Sequence, residues 1–321
     1  KFSSGSEKEA VFVACGSSYW MSLSACMTFE QKTGIRSFAV SAGDILMNPD
    51  YYSKCFNKLL IIAPSRSGRT TEVLKAIEIL KNAYGEIRVL SIVEYTGSPL
   101  ENLSDSTITL HWANEESVCQ TRSFSNLYLC MITMAALLGN DTKLFDDIEY
   151  YLNRAPGLFL TMEGKISSIV EGFKNCNYLV ALGSGKQYGA AIEGAYIGIE
   201  MAVFPANYYS VLELRHGPIV RLDENSLVCI ISNSNARNLE EGMAADAGKK
   251  GAKVLAIIDN GSFKNADWVF SMKNDSEPGV IAPEVVALYG IAIFQAFAYY
   301  KSIQLGLNPD NPPQLVPYIN L

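Results

Sequence analysis

Short apolar runs alternate with amphipathic stretches along most of the chain. The runs are rich in Val and Ile, too short for helices, and end in Gly or Ser. In the first half, the pattern predicts strands at 10–15, 37–41, 58–63, 87–93 and 107–111, and helices at 18–33, 70–83 and 121–138. Continuous apolar strands separated by helices are typical of a parallel sheet that is covered on both faces. The chain is therefore predicted to have an α/β fold.

The same pattern occurs twice. VFVACGSS at 11–18 resembles YLVALGSG at 178–185, and LLIIAPSRS at 59–67 resembles SLVCIISNS at 226–234, both 167 positions later. VLSIVE at 89–94 resembles VLAIID at 254–259, 165 positions later. Three matches at nearly one spacing indicate two copies of one domain. We expect domains at residues 1–145 and 160–321, joined within 140–165. The second is predicted to have strands at 177–182, 204–208, 226–231, 253–258 and 267–271, and a last helix at 283–304.

Composition excludes several classes of protein. Apolar residues make up 49% of the 321 residues and charged residues 18%, which excludes a disordered or collagen-like chain. A net charge of −7 argues against a nucleic-acid partner. No apolar run reaches the roughly 20 residues of a membrane span, and residues 1–10 do not resemble a signal peptide. Seven cysteines without a CxxC pair, and two histidines without HExxH, predict reduced thiols in a cytoplasmic protein without a metal site.

Two predicted strand-to-helix loops of the first copy are rich in hydroxyl groups. Helix N-termini offer free N–H groups to an anion, and the hydroxyls add further donors. The loops contain CGSSYW, with Ser17 and Ser18, and PSRSGRTTE, with Ser65, Ser67, Thr70 and Thr71 around Gly68. The alternative is that these side chains only cap helices. Without GxGxxG or GxxxxGK[ST], a phosphate is favoured over a dinucleotide. The equivalent loops of the second copy, GSGKQY and SNSNARN, have fewer hydroxyls, so that copy is expected to have lost its phosphate site.

Candidate acid–base residues occur in the second copy. Glu193 and Glu200 are seven residues apart, which places them on one face of a helix. His216 follows in the turn sequence RHGP, where Gly and Pro fix a bend. A carboxylate and an imidazole can act as general base and general acid. The alternatives are that Glu200 faces solvent or is structurally paired, and that His216 is a structural histidine. A structural role is also the interpretation that we favour for His111.

Five segments carry a resemblance to a known family. CGSSYW, SRSGRTTE and ESVCQTRSFS resemble the phosphate- and sugar-binding segments of the sugar isomerase (SIS) fold. EGAYIGIE with LELRHGP resembles the second half of double-SIS enzymes on amino-sugar phosphates. These include the isomerase half of glucosamine-6-phosphate synthase, agaS-type amino-sugar-phosphate isomerase/deaminases and fructosamine-6-phosphate deglycases. The resemblance implies two tandem SIS domains, each a three-layer αβα sandwich of flavodoxin-like type around a parallel sheet.

The resemblance also implies roles for individual residues. It makes Glu200 and His216 catalytic, with His216 supplied across the interface of a homodimer, and it implies no metal or organic cofactor. A phosphorylated sugar or amino-sugar derivative would contact Ser17, Ser18, Ser65, Arg66, Ser67, Thr70, Val118, Gln120 and Glu193. Arg66 stands where the relatives commonly have Gln, and Gln120 stands where the synthase has Ser.

Two further departures from the synthase distinguish the relatives. The synthase has a lysine at the position of Ile197 and another in the tail, at the position of Pro317. The absence of both resembles the deglycases, so the leading hypothesis is a deglycase that converts a fructosamine 6-phosphate into an aldose 6-phosphate and a free amine. The loops resemble the synthase and deaminase groups more closely. The alternative is therefore a ketose–aldose isomerase or deaminase of tagatose, galactosamine or glucosamine 6-phosphate. A noncatalytic phosphosugar-binding regulator is the second alternative.

Overall fold

The structure is a computed structural model that describes residues 9–85, 87–274 and 277–316. The expectation for residues 1–10 lies mostly outside this range, and the one for Pro317 lies entirely outside it. The described chain divides into two compact units. The first unit comprises residues 9–116, 120–142 and 316, and the second comprises 117–119 and 143–315.

The first unit is a parallel five-stranded sheet covered by helices. Its strands are β1 (Glu9–Ala14), β2 (Arg36–Ser41), β3 (Leu59–Ser65), β4 (Arg88–Val93) and β5 (Ser106–Thr109). Its helices are α1 (Ser17–Thr33), α2 (Ala42–Met47), α3 (Pro49–Tyr52), α4 (Thr71–Tyr84), α5 (Pro99–Asn102) and α6 (Arg122–Leu138). The strand order is β2-β1-β3-β4-β5, which is the order of flavodoxin-like folds and confirms the predicted fold class. All five carboxyl ends therefore lie at one edge of the sheet.

The apolar pattern explains where the core lies. Every residue of β1 and β3 is buried, as expected for central strands with helices on both faces. In α4, the buried residues Val73, Ala76, Ile77 and Leu80 recur at helical spacing and form one face. That face packs in the same buried cluster as alternate residues of β1 and β3, such as Val11 and Ile61. The loop between β3 and α4 is thus held at both ends by buried elements.

The second unit repeats the sheet. After α7 (Thr142–Gly172), whose first residue still belongs to the first unit, its elements are β6 (Tyr178–Leu182), α8 (Tyr188–Ala202), β7 (Ala206–Tyr209), β8 (Ser226–Ile231), α9 (Arg237–Lys249), β9 (Lys253–Ile258), β10 (Trp268–Ser271) and α10 (Pro283–Gln304). The order β10-β9-β8-β6-β7 is that of the first sheet listed from its other edge. The repeated sequence therefore encodes a repeated fold.

Helix α10 corrects the prediction that no segment of the chain is long and apolar enough to span a membrane. It is long and apolar enough to cross a membrane by length and composition, although we expected no segment to be so. Of its most apolar window, 67% is buried inside the protein, as in the core helix of a globular domain. Much of this burial comes from packing against α8, where the Phe294 ring lies against Gly194.

Candidate functional site

Several of the predicted phosphate residues line one cavity in the first unit. The cavity lies at the carboxyl ends of β1 and β3 and has a volume of about 40 Å³. We call it the first-unit cavity. It is lined by Cys15, Ser18, Pro64, Ser65, Arg66, Ser67, Thr70, Val73 and Gln120. Ser17, the first residue of α1, is buried beside Ser18 and is not among the lining residues.

The loop between β3 and α4 folds back on itself through its own hydroxyl groups. Ser65 Oγ accepts a hydrogen bond from the Gly68 N–H at 3.0 Å, and Ser67 Oγ accepts one from the Arg69 N–H at 3.2 Å. Gly68 has φ of +61°, which a glycine adopts without strain. These bonds fix a tight loop whose hydroxyl hydrogens remain available to an anion.

Helix capping does not account for the hydroxyl residues at the two helix starts. The residue before α4 is Thr70, and its side chain makes no capping hydrogen bond. The residue before α1 is Gly16, which has no side chain to cap with. The cap residues of both helices therefore provide no side-chain acceptor for the first helical N–H groups, and helix starts of this kind favour a bound anion.

Arg66 brings a positive charge to the first-unit cavity. It lines the cavity although only 9% of its surface is exposed. Next to it lies Glu94, the residue after β4, whose backbone N–H donates to the Arg66 carbonyl oxygen at 3.4 Å. The Glu94 side chain is 1% exposed, and burial raises its pKa to about 7. Glu115 raises that pKa further, whereas Ser123 and the charges of Arg66 and Arg122 lower it.

Sequence reasoning missed Glu94. The signal was its position at the end of VLSIVE, which the second copy repeats as VLAIID with Asp259. An acidic residue at the carboxyl end of a buried strand costs desolvation energy, so its presence in both copies required an explanation.

The carboxylate of Glu115 organises the loop that leads to α6. It accepts hydrogen bonds from the N–H groups of Thr121, Arg122 and Ser123 at about 3 Å, and from Thr121 Oγ1 at 2.6 Å. These bonds satisfy the first N–H groups of α6 and hold Gln120, which lines the first-unit cavity. The buried Gln120 Oε1 accepts no hydrogen bond within the described chain.

Val118 falls in the second unit. Its N–H donates to the Asp310 carbonyl oxygen at 3.1 Å, and both residues belong to that unit. Val118 and Gln120 are thus two residues apart in the sequence but belong to different compact units.

The predicted acid–base residues all lie in the second unit. Glu193 and Glu200 are both on α8, where Glu193 is 1% exposed and Glu200 is half-buried near the end of the helix. Glu200 lies near Tyr196, whose pKa is raised by burial, by Tyr208 and by the Glu200 charge. Tyr196 and Tyr208 have ring centroids 5.9 Å apart. Glu200 thus lies one helical turn from Tyr196, close enough for its charge to act on the Tyr196 hydroxyl.

His216 is presented by a turn. It follows the 3₁₀ helix Val211–Arg215, and its N–H donates to the Glu213 carbonyl oxygen at 3.0 Å. Gly217 has φ of +119°, which turns the chain away and leaves the His216 side chain exposed. His111, the other histidine, is also exposed and starts the short 3₁₀ helix His111–Ala113 of the first unit.

The position at which the resemblance implies a lysine in the synthase is occupied here by an apolar residue of the core. Ile197 is completely buried in α8. A lysine at this position would need a partner or a lowered pKa in the same apolar surroundings.

The comparisons with known proteins identify the fold family. The model of the SIS domain matches residues 6–138 and 172–280. Glutamine–fructose-6-phosphate aminotransferase (isomerizing) of Brucella abortus is 27% identical over 319 residues, and that of Escherichia coli K12 is 26% identical over 317. Each alignment covers 94% of this chain and 50% of the relative, so the chain spans about half the length of these curated relatives.

Solved structures agree over nearly the whole chain. Glucosamine-6-phosphate deaminase from Thermotoga maritima is 27% identical with a TM-score of 0.83, and the match covers 98% of this chain and 91% of the other. Tagatose-6-phosphate ketose/aldose isomerase from Escherichia coli, at 23% identity and a TM-score of 0.81, covers 98% and 88% and shows the same fold. With both halves matched by one family model and the same sheet order in each, this chain belongs to the SIS domain family.

Proposed function

We propose that the chain is an enzyme of amino-sugar 6-phosphates that releases nitrogen by proton transfer between C1 and C2, followed by hydrolysis of an imine. The observation that carries the proposal is the first-unit cavity, where Ser18, Ser65, Ser67 and Thr70 lie around the guanidinium-bearing Arg66. Hydroxyl donors, helix N-termini and one cation match the oxygens of a phosphate monoester. The phosphate would fix the sugar and so place C1 and C2 for reaction.

Glu200 is the proposed base. In a deaminase reaction on an open-chain 2-amino-2-deoxyaldose, it removes the proton from C2, and the electrons form a C1–C2 double bond as the C1 carbonyl oxygen takes a proton from His216. Return of a proton to C1 leaves an imine at C2. Water adds to that carbon and ammonia leaves, so the products are a ketose 6-phosphate and ammonia. One base and one acid suffice for all of these proton transfers.

The T. maritima relative favours this direction of the reaction. Its name describes it as a glucosamine-6-phosphate deaminase, and the match covers nearly all of both chains. Glu200 is half-buried, so its side chain is still partly accessible to a substrate, which supports its role as a base.

The deglycase reaction is the second candidate. It uses the same proton transfers with nitrogen on C1: the base removes a C1 proton, a proton returns at C2, and hydrolysis of the C1 imine gives an aldose 6-phosphate and an amine. The observation that favours it is the buried Ile197, since the aminotransferase-type relatives are expected to have a lysine there. Both candidates need the same phosphate site and the same acid–base pair.

We further propose that the working form is a homodimer in which His216 acts in the site of the other copy. The exposed imidazole on a glycine-fixed turn supports this, because a residue that serves another chain must project from its own.

A substrate panel tests the proposal. The purified chain is incubated with glucosamine 6-phosphate, galactosamine 6-phosphate, tagatose 6-phosphate and fructoselysine 6-phosphate, and ammonia, free amine and hexose phosphates are measured. Ammonia together with a ketose phosphate supports the deaminase, and a free amine together with an aldose phosphate supports the deglycase. Conversion of tagatose 6-phosphate into an aldose 6-phosphate, with no release of nitrogen, supports an isomerase. Tight binding without product from any compound contradicts catalysis and supports the regulator.

Matched variants test the residue roles. Glu200→Gln is expected to lower kcat by at least about a hundredfold with little change in phosphosugar binding, whereas Glu171→Gln, on the exposed face of α7, is expected to have no effect. His216→Asn is compared with His111→Asn in the same way. Full activity of Glu200→Gln would remove the base assignment.

A further inference from the structure

The two units differ sharply at one position of equivalent helices, α4 and α9, close to the loops that follow β3 and β8. β3 and β8 occupy the same place in the two sheets, each between the first and fourth strands of its unit. At the spacing of 167, Ser65 corresponds to Ser232, and Val73, which lines the first-unit cavity, corresponds to Glu240. Both Val73 and Glu240 are 2% exposed. An apolar side chain in the first unit is thus replaced by a buried acid in the second.

The Glu240 carboxylate is held by the loop that follows β8. Ser232 Oγ donates to Glu240 Oε2 at 2.6 Å, and the Asn233 N–H donates to Oε1 at 3.0 Å and to Oε2 at 3.2 Å. A hydroxyl and a backbone N–H after a strand, both aimed at one pair of anionic oxygens, form the donor arrangement of an anion site.

Other charged side chains of the second unit also form ion pairs with residues of the same unit. Arg237, at the start of α9, pairs with the buried Asp259 at 2.5 Å, and Lys186, in the loop after β6, pairs with the buried Glu284 at 3.0 Å. Burial and the Asp259 charge raise the pKa of Glu240, whereas the bonds from Ser232 and Asn233 and the Arg237 charge lower it. The loop therefore stabilises the charged form of Glu240 as it would stabilise a bound anion.

We propose that residues 232–236 form an anion site whose ligand is the Glu240 carboxylate of the same chain, and that removing this carboxylate opens a second site for a phosphate group. Taken with the proposed function, which places a phosphosugar in the first unit, each chain binds one phosphosugar and not two. The first unit keeps its loop open because Val73 brings no competing anion.

Inorganic phosphate is the probe, and its stoichiometry is measured by isothermal titration. The wild-type chain is expected to bind one phosphate, and Glu240→Ala two, with the second site gained at millimolar phosphate. Glu240→Gln, which fills the same space and keeps an acceptor, is the matched control and is expected to bind one. The same test is made in a chain that carries Ser65→Ala and Ser67→Ala. With Glu240 intact, this chain is expected to bind no phosphate, and with Glu240→Ala it is expected to bind one. Adding Ser232→Ala is expected to remove that remaining site.

The outcomes separate this inference from the proposed function. A folded Glu240→Ala chain with the wild-type stoichiometry overturns the inference. If the wild-type chain binds no phosphate but Glu240→Ala gains a site that needs Ser232, the phosphate role of the first unit fails and the inference stands. If Glu240→Ala does not fold alone, phosphate, sulfate or formate is added during refolding. Recovery of the fold supports an anion-shaped vacancy, and failure with all three anions overturns it.

Discussion

Gly68, in the loop after β3, has a backbone conformation and a neighbour that together exclude any larger residue. Its φ is +61°, and a Cβ built there would lie 2.6 Å from Ser98 Cβ and 3.4 Å from Val93 Cγ1. Ser98 cannot move aside easily, since it is 1% exposed and its Oγ accepts the Glu101 N–H at the start of α5. The Gly68 carbonyl oxygen in turn accepts the Leu100 N–H at 3.1 Å, which ties the loop to α5.

The cost of Gly68→Ala has two parts. A non-glycine residue in the left-handed region costs roughly 1–2 kcal/mol of folding free energy. Forcing a methyl group against Ser98 adds about 1–3 kcal/mol for overpacking. The expected loss is therefore about 2–5 kcal/mol. The matched control is Gly34→Ala, where φ is +73° and no atom of the described residues lies within 4 Å of the Cβ, so only the conformational cost applies.

The assays are urea unfolding of both variants and titration with a phosphosugar. Gly68→Ala is expected to unfold at lower urea than Gly34→Ala and to bind at least about tenfold more weakly than wild type, because displacement of the loop moves Ser65 and Ser67. Gly34→Ala is expected to bind normally. Gly68→Ala with Ser98→Gly should recover the overpacking part. Equal stability of the two single variants, or no recovery in the double variant, would refute this account of the loop.

Three other changes have clear expected results. Burial raises the Glu94 pKa to about 7, so between about pH 5 and 7 the folded chain keeps a proton that the unfolded chain has released. This group therefore makes the free energy of unfolding fall as pH rises through that range. Urea unfolding should show a shallower fall for Glu94→Gln than for wild type. Gly194→Ala places a Cβ 2.5 Å from Phe294 Cγ and should cost about 1–3 kcal/mol in urea unfolding, whereas Gly198→Ala, with its nearest atom at 3.5 Å, should be neutral or stabilising. Thr70→Ala should leave stability within about 0.5 kcal/mol of wild type, since Thr70 makes no capping bond, and should weaken phosphosugar binding in a titration; a stability loss of about 1 kcal/mol with unchanged binding would instead assign it to capping.

Most strands could be located from their apolar runs, but their ends could not. The predicted strand 58–63 is Leu59–Ser65 in the structure. Pro64 and Ser65 end the apolar run, yet they still lie opposite Ile92 and Val93 of β4, because the ladder depends on the backbone and not on the polarity of the side chains.

Helix α7 was not predicted at all, because residues 140–165 were taken as the join between the domains. The buried residues Leu144, Ile148 and Tyr151 do follow helical spacing. Pro156 and Gly157 interrupt the pattern as turn residues would, and one helix nevertheless runs through both.

For the candidate site, the hydroxyl-rich loops were accessible from sequence because the residues are clustered and follow strands. Ser18, Ser65, Arg66, Ser67, Thr70 and Gln120 indeed line one cavity. Their roles in binding, and those of Glu200 and His216 in catalysis, stay predictions. Glu94 and Glu240 were missed because each is a single acid whose partners come from the folded loops. Only a position-by-position comparison of the two copies could have drawn attention to them.

The makeup of the first-unit cavity has a consequence for how its ligand responds to ionic strength. Among its described lining residues, Arg66 is the sole charged side chain, and the other polar groups are hydroxyls and an amide. Salt screens long-range attraction between ions but leaves short, directional hydrogen bonds largely intact. Binding of the proposed sugar phosphate should therefore vary little as salt is raised, in contrast to the steep salt dependence of proteins that bind polyanions with many lysines and arginines. The hydrogen-bond geometry around the phosphate group, more than its charge, would then determine which compound binds.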